Sequence, residues 1–246
     1  MKETKLAIIA DIHGNTWALN EVLSDIKARG VQAIINLGDC LNGPLDPQGT
    51  YHLLIKNNVL SVSGNGDRLI LESLKSNANN PTAEYVISQM NDDILDWLKA
   101  LPFNHVYDEI FCCHASPQSD MDYLLENLKP GYIAIKEYSE IDEILKDLKQ
   151  EIIFCGHSHV PRIVKTTNKT IINAGSVGLP AYDDELPIPH KMENFSPHAR
   201  YSLISKTDKS FKIEQFAIPY NYELAAQKAE KNKRKDWAKW IRTGRV

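Results

Sequence analysis

Residues 6–15 read LAIIADIHGN, an apolar run that leads directly into the polar sequence Asp11-Ile12-His13-Gly14-Asn15. A short apolar run that ends in polar residues is typical of a buried strand that opens into a loop. The following stretch, Thr16–Arg29, has apolar residues at helical spacing and stops at Gly30, and Asn15 is a suitable N-cap. The start of the chain therefore predicts a buried strand, a polar loop and a helix.

The same alternation continues through the first two thirds of the chain. Further short apolar runs, each followed within two residues by Gly or His, are Ala33–Leu37, Val59–Val62, Ile110–Cys113 and Ile152–Cys155. Further helical stretches are Gln48–Lys56, Ala83–Met90, Asp92–Leu101 and Glu140–Lys149. Short buried strands that alternate with amphipathic helices predict an α/β layer architecture.

The last third of the chain has a different pattern. Two hairpins are predicted, one from Arg162–Thr167 and Thr170–Asn173, the other from Tyr201–Lys206 and Phe211–Phe216 around Asp208, so a second, antiparallel sheet is expected there. Residues 180–199 contain four prolines and little periodicity. Because loops of this length are uncommon unless they are functional, the segment is a candidate lid.

Residues 220–246 predict a C-terminal helix. Lys228–Arg245 contains eight Lys or Arg residues, and an apolar stripe is formed by Leu224, Trp237, Trp240 and Ile241. The basic charge permits a nucleic-acid surface, in which phosphate contacts supply the affinity. The favoured interpretation is an amphipathic helix that docks its apolar stripe on the body of the protein and leaves its basic residues in water.

Length and composition are those of an ordinary globular protein, with 246 residues, 43% hydrophobic residues and a net charge of −4. Residues 1–246 are interpreted as a single domain, since no repeat or clear boundary divides them. The acidic net charge makes nucleic acid an unlikely partner, because a nucleic-acid-binding domain is usually basic. No apolar run approaches the roughly 18 residues of a membrane span, and the N-terminus lacks a signal-peptide pattern. No membrane partner and a cytoplasmic location are therefore expected.

Candidate functional residues follow the five predicted strands, each at the point where the strand ends. They lie in Asp11-Ile12-His13, Gly38-Asp39, Gly64-Asn65-Gly66-Asp67, His114 and Gly156-His157-Ser158-His159. Each motif alone is weak, since a histidine after an apolar run is more often a packed, hydrogen-bonded residue. Five such motifs after five strands form a strong signal, because α/β sheets build their sites at the carboxyl ends of strands.

The order D-x-H, G-D, G-N-x-D, H and G-H-x-H resembles the calcineurin-like metallophosphoesterase superfamily, and the resemblance runs from Asp11 to His159. Residues 173–178, NAGSVG, are similar to the Asn-Pro-Gly-Ser-Val-Gly stretch of its small bacterial and archaeal phosphodiesterase-like branch. The resemblance implies an α/β (α+β) fold with two facing mixed β-sheets flanked by helices. This is an αββα sandwich with metals at one sheet edge.

The resemblance also implies two divalent transition-metal ions, manganese, iron, nickel or zinc, which suit mixed carboxylate and imidazole ligands. It assigns Asp11, His13 and His159 to one ion, Asn65, His114 and His157 to the other, and Asp39 to both as a bridge. Two ions about 3.5–4 Å apart activate a bridging hydroxide as the nucleophile, so neither serine nor cysteine is required for that role.

One position departs from the superfamily's pattern. The third slot of G-N-H-D/E normally holds a histidine that contacts the substrate phosphate and can protonate the leaving group, whereas this chain has Gly66. Asp67, the usual partner of that histidine, remains. Poor leaving groups should suffer most from the missing acid, since general acid catalysis contributes about 10²–10⁴-fold. His190 and His198, both in the 180–199 segment, are candidates for a relocated acid.

Three further residues are candidates for contacting the substrate, and each has a second interpretation. Asn15 contacts the substrate, caps the helix or does both. Arg68 either binds the phosphate or is a solvated surface charge. Ser176 either lines the metal edge or turns the chain after a strand.

The leading functional interpretation is a metal-dependent phosphoesterase that hydrolyses phosphodiesters or activated phosphate esters, with a small phosphate ester such as a nucleotide as substrate. A phosphomonoesterase, either a protein phosphatase or a diadenosine-polyphosphate hydrolase, is an alternative. Those relatives normally keep the histidine that is Gly66 here. The third interpretation is a non-catalytic scaffold with the same fold, although all seven ligand positions are filled in this chain.

Overall fold

A computed structural model describes residues 4–75, 80–207 and 210–246 of the chain. Its strands are β1 (Thr4–Ile9), β2 (Ala33–Asn36), β3 (Leu60–Ser61), β4 (Asn104–Tyr107), β5 (Ile110–Cys113), β6 (Glu126–Lys129), β7 (Tyr132–Ile135), β8 (Ile152–Cys155), β9 (Arg162–Lys165), β10 (Thr170–Asn173), β11 (Ala181–Asp184), β12 (His190–Glu193), β13 (Ala199–Lys206) and β14 (Phe211–Ile218). Its helices are α1 (Thr16–Ala28), α2 (Pro47–Lys56), α3 (Asn65–Ser73), α4 (Pro81–Ser88), α5 (Asp92–Ala100), α6 (Tyr138–Ile144), α7 (Tyr222–Lys231) and α8 (Lys235–Thr243).

Two five-stranded mixed sheets form the centre of the molecule. The first has the order β14-β13-β1-β2-β3, and the second has the order β4-β5-β8-β10-β9. Within the first sheet β1, β2 and β3 are parallel, and within the second β5, β8 and β10 are parallel. The carboxyl ends of the parallel strands therefore lie together within each sheet. Two separate hairpins, β6-β7 and β11-β12, lie outside these sheets.

The two sheets pack face to face, with helices on their outer faces. Leu6 and Ile8 of β1 pack in the inter-sheet core against the second sheet, where Phe154 of β8 belongs to the same cluster. Ala7 and Ile9 point the other way and pack in the cluster that contains the buried faces of α1, α2, α7 and α8. Since successive side chains of a strand alternate between faces, one wholly apolar strand supplies both cores. The outer face of the second sheet packs against α6. The αββα sandwich that the resemblance implies is confirmed.

The predicted strands and helices are confirmed with small shifts at their ends. Asn15 caps α1 by accepting a hydrogen bond from the Ala18 backbone N–H at 3.1 Å. The fourth predicted helical stretch, Glu140–Lys149, is shorter than expected and corresponds to α6, which ends at Ile144. Helix α3 was not predicted, because it buries only one large apolar side chain, Ile70, and so has no apolar stripe to recognise.

The expectation of one antiparallel second sheet in the last third of the chain is wrong. The hairpin β9-β10 belongs to the second sheet, where β10 pairs with β8, whereas β13-β14 belongs to the first, where β13 pairs with β1. Both hairpins exist, but the sheet that each one joins is decided by pairing with a strand outside the hairpin, which local periodicity does not reveal. The predicted turn around Asp208 falls on residues 208–209, outside the described residues.

Two predictions about the C-terminal part also need correction. Residues 180–199 are not an irregular loop, since they contain the hairpin β11-β12. Residues 220–246 form two helices, α7 and α8, and Lys233 between them has a φ of 64°. Leu224 does not belong to the buried stripe, because 45% of it is exposed. Trp237, Trp240 and Ile241 are buried as expected.

A membrane-spanning helix is absent from the described ranges 4–75, 80–207 and 210–246, where no helix has both the length and the apolar character to cross a bilayer.

Candidate metal centre

The predicted ligands gather at the edge of the sandwich where the parallel strands of both sheets end. The backbone N–H of His157, after β8, donates to Asp11 Oδ2, after β1, at 3.1 Å. The His114 ring, after β5, donates from Nδ1 to the carbonyl oxygen of Leu37, after β2, at 2.9 Å. These hydrogen bonds join the two sheets at their carboxyl ends, so residues far apart in sequence form one buried site.

Four histidines of the site share one hydrogen-bonding pattern, in which one ring nitrogen of each faces a backbone carbonyl oxygen. The pairs are His13 Nδ1 with Asn42 (2.7 Å), His114 Nδ1 with Leu37 (2.9 Å), His159 Nδ1 with Leu179 (2.6 Å) and His157 Nε2 with Met121 (3.0 Å). Because a carbonyl oxygen only accepts, the facing nitrogen carries the proton. The other nitrogen of each neutral ring then has a free lone pair, which is the arrangement of metal-ligating histidines.

In the first ligand group, these lone pairs converge. Nε2 of His13 and Nε2 of His159 lie 3.1 Å apart, and Asp11 Oδ1 lies 3.4 Å from His159 Nε2. Among the described residues, Asp11 Oδ1 is a buried oxygen with no hydrogen-bond partner. Three electron-rich atoms without a proton between them repel one another, and a cation removes that repulsion. The first group therefore fits a metal ion.

Asp39 joins this first group to a second one. Its Oδ2 lies 3.7 Å from His13 Nε2, whereas its Oδ1 lies 3.7 Å from His114 Nε2. Asn65 Oδ1 in turn lies 2.8 Å from His114 Nε2. A carboxylate whose two oxygens face different ligands is suited to bridging two ions, so the geometry fits the role that the resemblance assigns to Asp39.

The structure differs from the assignment in two details. Asp11 belongs to both compact groups of candidate ligands, one with His13 and His159 and the other with Asp39 and His114. His157 belongs to neither group, although its ring centroid lies 5.0 Å from that of His114. In the structure Asp11 is therefore shared by both groups, whereas the resemblance assigns it to one ion.

Of the nine non-glycine residues with positive φ in the described part of the chain, more than half are predicted ligands. Five predicted ligands have φ between 52° and 65°, namely Asp11, His13, Asp39, His157 and His159. Residues other than glycine rarely adopt this left-handed region, and such conformations persist where the surrounding structure enforces them. Their concentration at one edge supports a functional role for this edge, independently of the sequence motif.

Burial favours the neutral form of two of the histidines, whereas the nearby carboxylates act in the opposite direction on a third. Burial lowers the pKa of His157 to about 3, and burial also lowers the pKa of His13. For His114, burial lowers the pKa, but Asp39 and Asp11 outweigh it and the net shift is upward. Burial raises the pKa of Asp11, yet the surrounding histidines lower it overall. Metal binding needs neutral imidazoles and ionised carboxylates, and the carboxylates make a cation favourable at this place.

Two of the candidate substrate contacts are structural residues. Asn15 is fully buried, and its Nδ2 donates to the Gly178 carbonyl oxygen at 2.9 Å while its Oδ1 caps α1. Ser176 is also buried, and its hydroxyl donates to the Asp11 carbonyl oxygen at 2.8 Å. Both residues thus have a structural role through these hydrogen bonds, and their contact with the substrate stays a prediction.

The polar groups around α3 also form hydrogen bonds within the protein. Arg68 donates to Asp120 at 2.7 and 3.1 Å and to Glu72 at 2.9 Å, and these hydrogen bonds raise its pKa. Asp67 is fully buried and accepts hydrogen bonds from the backbone N–H groups of Cys40 and Gly64. Asp67 therefore positions the loop that carries Asp39. Arg68 is held in ion pairs, so it is neither a free phosphate ligand nor a merely solvated charge.

Residues that the motifs did not indicate support the histidines. Glu126 of β6 is 2% exposed and accepts hydrogen bonds from Ser158 at 2.9 Å and from Arg162 at 3.1 Å. It thus anchors the turn between His157 and His159. No sequence signal identified Glu126, because its strand is short, polar and outside the two main sheets.

Two C-terminal elements pack directly against the ligands. Tyr182 of β11 donates to the His157 carbonyl oxygen at 3.0 Å, and its ring lies 4.6 Å from that of His159. Trp237 of α8 contacts His13 edge to face, with the ring centroids 5.6 Å apart. The 180–199 segment therefore lies beside the candidate metal centre, at the place expected for the candidate lid.

Metal binding should stabilise the folded protein measurably. At a free metal concentration one hundred times the dissociation constant, stabilisation is about 2.7 kcal/mol, or roughly 5–10 °C in Tm for a domain of this size. Thermal unfolding of stripped protein with and without Mn²⁺ or Zn²⁺ measures this shift. His159→Ala should reduce it, whereas His52→Ala, which removes an exposed histidine on α2, should not. Equal shifts in both variants would contradict the site.

Fold and site together define a class of protein, the metallophosphoesterases, in which two facing sheets carry histidine and carboxylate ligands at one edge. The chain belongs to the calcineurin-like phosphoesterase superfamily, whose domain model matches residues 4–188.

The comparisons also show similar whole chains. An uncharacterised protein of Methanocaldococcus jannaschii is 28% identical, and the match covers 96% of each protein. A metallophosphoesterase from Sphaerobacter thermophilus has a similar structure, with a TM-score of 0.74 and 20% identity over 96% of this chain and 99% of that one. A hypothetical protein from Pyrococcus horikoshii OT3 has the same TM-score and identity, over 98% of each chain. At this identity the two structures establish the fold.

Proposed function

We propose that this protein is a two-metal phosphoesterase that hydrolyses phosphodiesters or activated phosphate esters. The observation that carries the proposal is the convergence of unprotonated ligand atoms in two groups joined by Asp39. Asp11, His13 and His159 would hold one ion, Asn65, His114 and His157 the other, and Asp39 both. The donor set suits manganese, iron, nickel or zinc.

When bound, two such ions lower the pKa of a water molecule between them and stabilise charge on the phosphoryl group. The chain's own contribution is to orient the ligands. Each histidine is fixed by its carbonyl partner, and the carboxyl-end loops are fixed by Asp67 and Glu126. None of these groups offers a proton to a leaving group, since their polar hydrogens are bonded inside the protein. This favours substrates whose leaving group departs without protonation.

Predictions on substrate access and cellular context accompany this proposal. The 180–199 segment is proposed to act as the lid that helps to select the substrate, since Tyr182 and Asn194 bond to the backbone of the ligand turn. The substrate is proposed to be a small phosphate ester, such as a nucleotide. The cytoplasmic location and the lack of nucleic-acid or membrane partners stay predictions.

A comparison of two substrates tests the proposal. Stripped protein is assayed with bis-p-nitrophenyl phosphate and with p-nitrophenyl phosphate after addition of manganese, nickel, zinc or magnesium. We expect hydrolysis that requires added metal and a higher kcat/KM for the diester. A higher kcat/KM for the monoester would favour the phosphomonoesterase alternative. Metal binding without hydrolysis of either ester would favour the scaffold.

A further inference from the structure

Asn42 contacts the candidate metal ligand His13 through its backbone. It lies in the loop after β2, three residues beyond Asp39, and its carbonyl oxygen accepts the hydrogen bond from His13 Nδ1 at 2.7 Å. This bond fixes the backbone of Asn42 and leaves its side chain for another task. The side chain is half-buried.

The Asn42 side chain and Gly66 share one space beside Asp39. A Cβ added at Gly66 would lie 2.8 Å from both Cβ and Nδ2 of Asn42 and 3.0 Å from Asp39 Oδ1. Contacts this short are not tolerated, so position 66 has no room for a side chain while Asn42 is present. Gly66 lies within α3 and its φ is not among the positive ones, so the reason for glycine is space. Asn42 Nδ2 and Asp39 Oδ1 therefore border the same small space, beside the carboxylate that faces both metal positions.

The side-chain amide of Asn42 is also free to bond to a ligand. Asn15, Ser176 and Arg68 bond to other protein groups, but the Asn42 side chain takes part in none of the hydrogen bonds found among the described residues. Its amide atoms are not among the buried polar atoms that lack a partner, so solvent or a ligand can reach them. A phosphoryl group held beside Asp39 would offer oxygens that need donors.

We infer that Asn42 is a substrate-binding residue whose Nδ2 donates to a phosphoryl oxygen of the bound ester. This rests on the proposed function and names the side chain that recognises the phosphate. An amide N–H donates a hydrogen bond but does not transfer its proton at neutral pH. Asn42 therefore orients the phosphate but does not protonate the leaving group.

Phosphate binding to the metal-loaded protein tests this inference without relying on turnover. Titration calorimetry with inorganic phosphate should show a Kd about tenfold to a hundredfold weaker for Asn42→Ala, the usual loss for a hydrogen bond to a charged group. The affinity for Mn²⁺ should not change, because His13 is held by the Asn42 backbone. Asn42→Asp should bind phosphate more weakly still, since it adds a negative charge. Asn20→Ala, at an exposed position of α1, is the matched control and should behave like wild type.

Other outcomes separate the inference from the proposed function. A phosphate Kd within twofold of wild type in Asn42→Ala, with metals bound, would overturn the role of Asn42 and leave the phosphoesterase proposal standing. An equal loss of metal affinity would show that Asn42 only supports the fold. Metal-loaded wild type that binds no phosphate would count against both proposals.

Discussion

Asp39→Ala should weaken metal binding at both positions and lower the turnover of bis-p-nitrophenyl phosphate by about three orders of magnitude or more. The reason is the geometry of its carboxylate, whose Oδ2 faces His13 and whose Oδ1 faces His114 at 3.7 Å each. Losing the shared ligand removes several kcal/mol of charge stabilisation, which corresponds to this change in rate. Metal content by elemental analysis and kcat/KM measure the two effects.

A contrast with His159 makes this result specific. His159 Nε2 lies near His13 and Asp11 and belongs to the first ligand group only. His159→Ala should therefore weaken one metal position and leave close to one ion per chain, whereas Asp39→Ala should disturb both. Occupancy that never exceeds one ion in wild type would contradict the two-metal site. A metal bound by Cys40 or Cys155 would contradict the ligand assignment.

Much of this site could be predicted from the sequence because buried strands leave a clear local pattern. A wholly apolar run such as Ile152–Cys155 indicates a strand covered on both faces, and the polar residue after it marks the edge of a sheet. Five repeats of that pattern brought together residues from Asp11 to His159, and the structure places them at one edge. Their positive φ values also accord with a constrained functional turn, which the motifs alone do not report.

Other features depend on contacts that no local pattern contains. The structural role of Asn15 depends on its bonds to both Gly178 and Ala18, of which only the second is local in sequence. The role of the polar strand β6 at the site likewise depends on a partner that is distant in sequence, because its Glu126 accepts a hydrogen bond from Ser158. The exposure of Leu224 beside the buried Ala225 and Ala226 follows from how α7 packs on the body of the protein. The hydrogen-bonding and packing partners of these residues are therefore visible only in the three-dimensional structure.

The hydrolysis rate of wild type should depend steeply on the pKa of the leaving group. Aryl esters with p-nitrophenolate-like leaving groups should turn over, while simple alkyl phosphates should react slower by about two to four orders of magnitude, the usual contribution of a general acid. The physical reason is Gly66, which has no side chain to donate a proton. His190, one candidate for a relocated acid, donates from Nδ1 to the Ile188 carbonyl and bonds through Nε2 to Tyr123. A series of aryl and alkyl diesters gives the slope.

A histidine at position 66 also needs space for its side chain. Gly66→His alone should be strained, because its Cβ would meet Asn42 at 2.8 Å, so Asn42→Gly/Gly66→His is the informative variant. It should flatten the slope by about one to two orders of magnitude for the poorest leaving groups, with Asn42→Gly as its matched control. A shallow slope in wild type that is lost in His190→Ala or His198→Ala would show that the acid had been relocated. A shallow slope that survives both changes would mean that protonation at position 66 is not what limits these substrates.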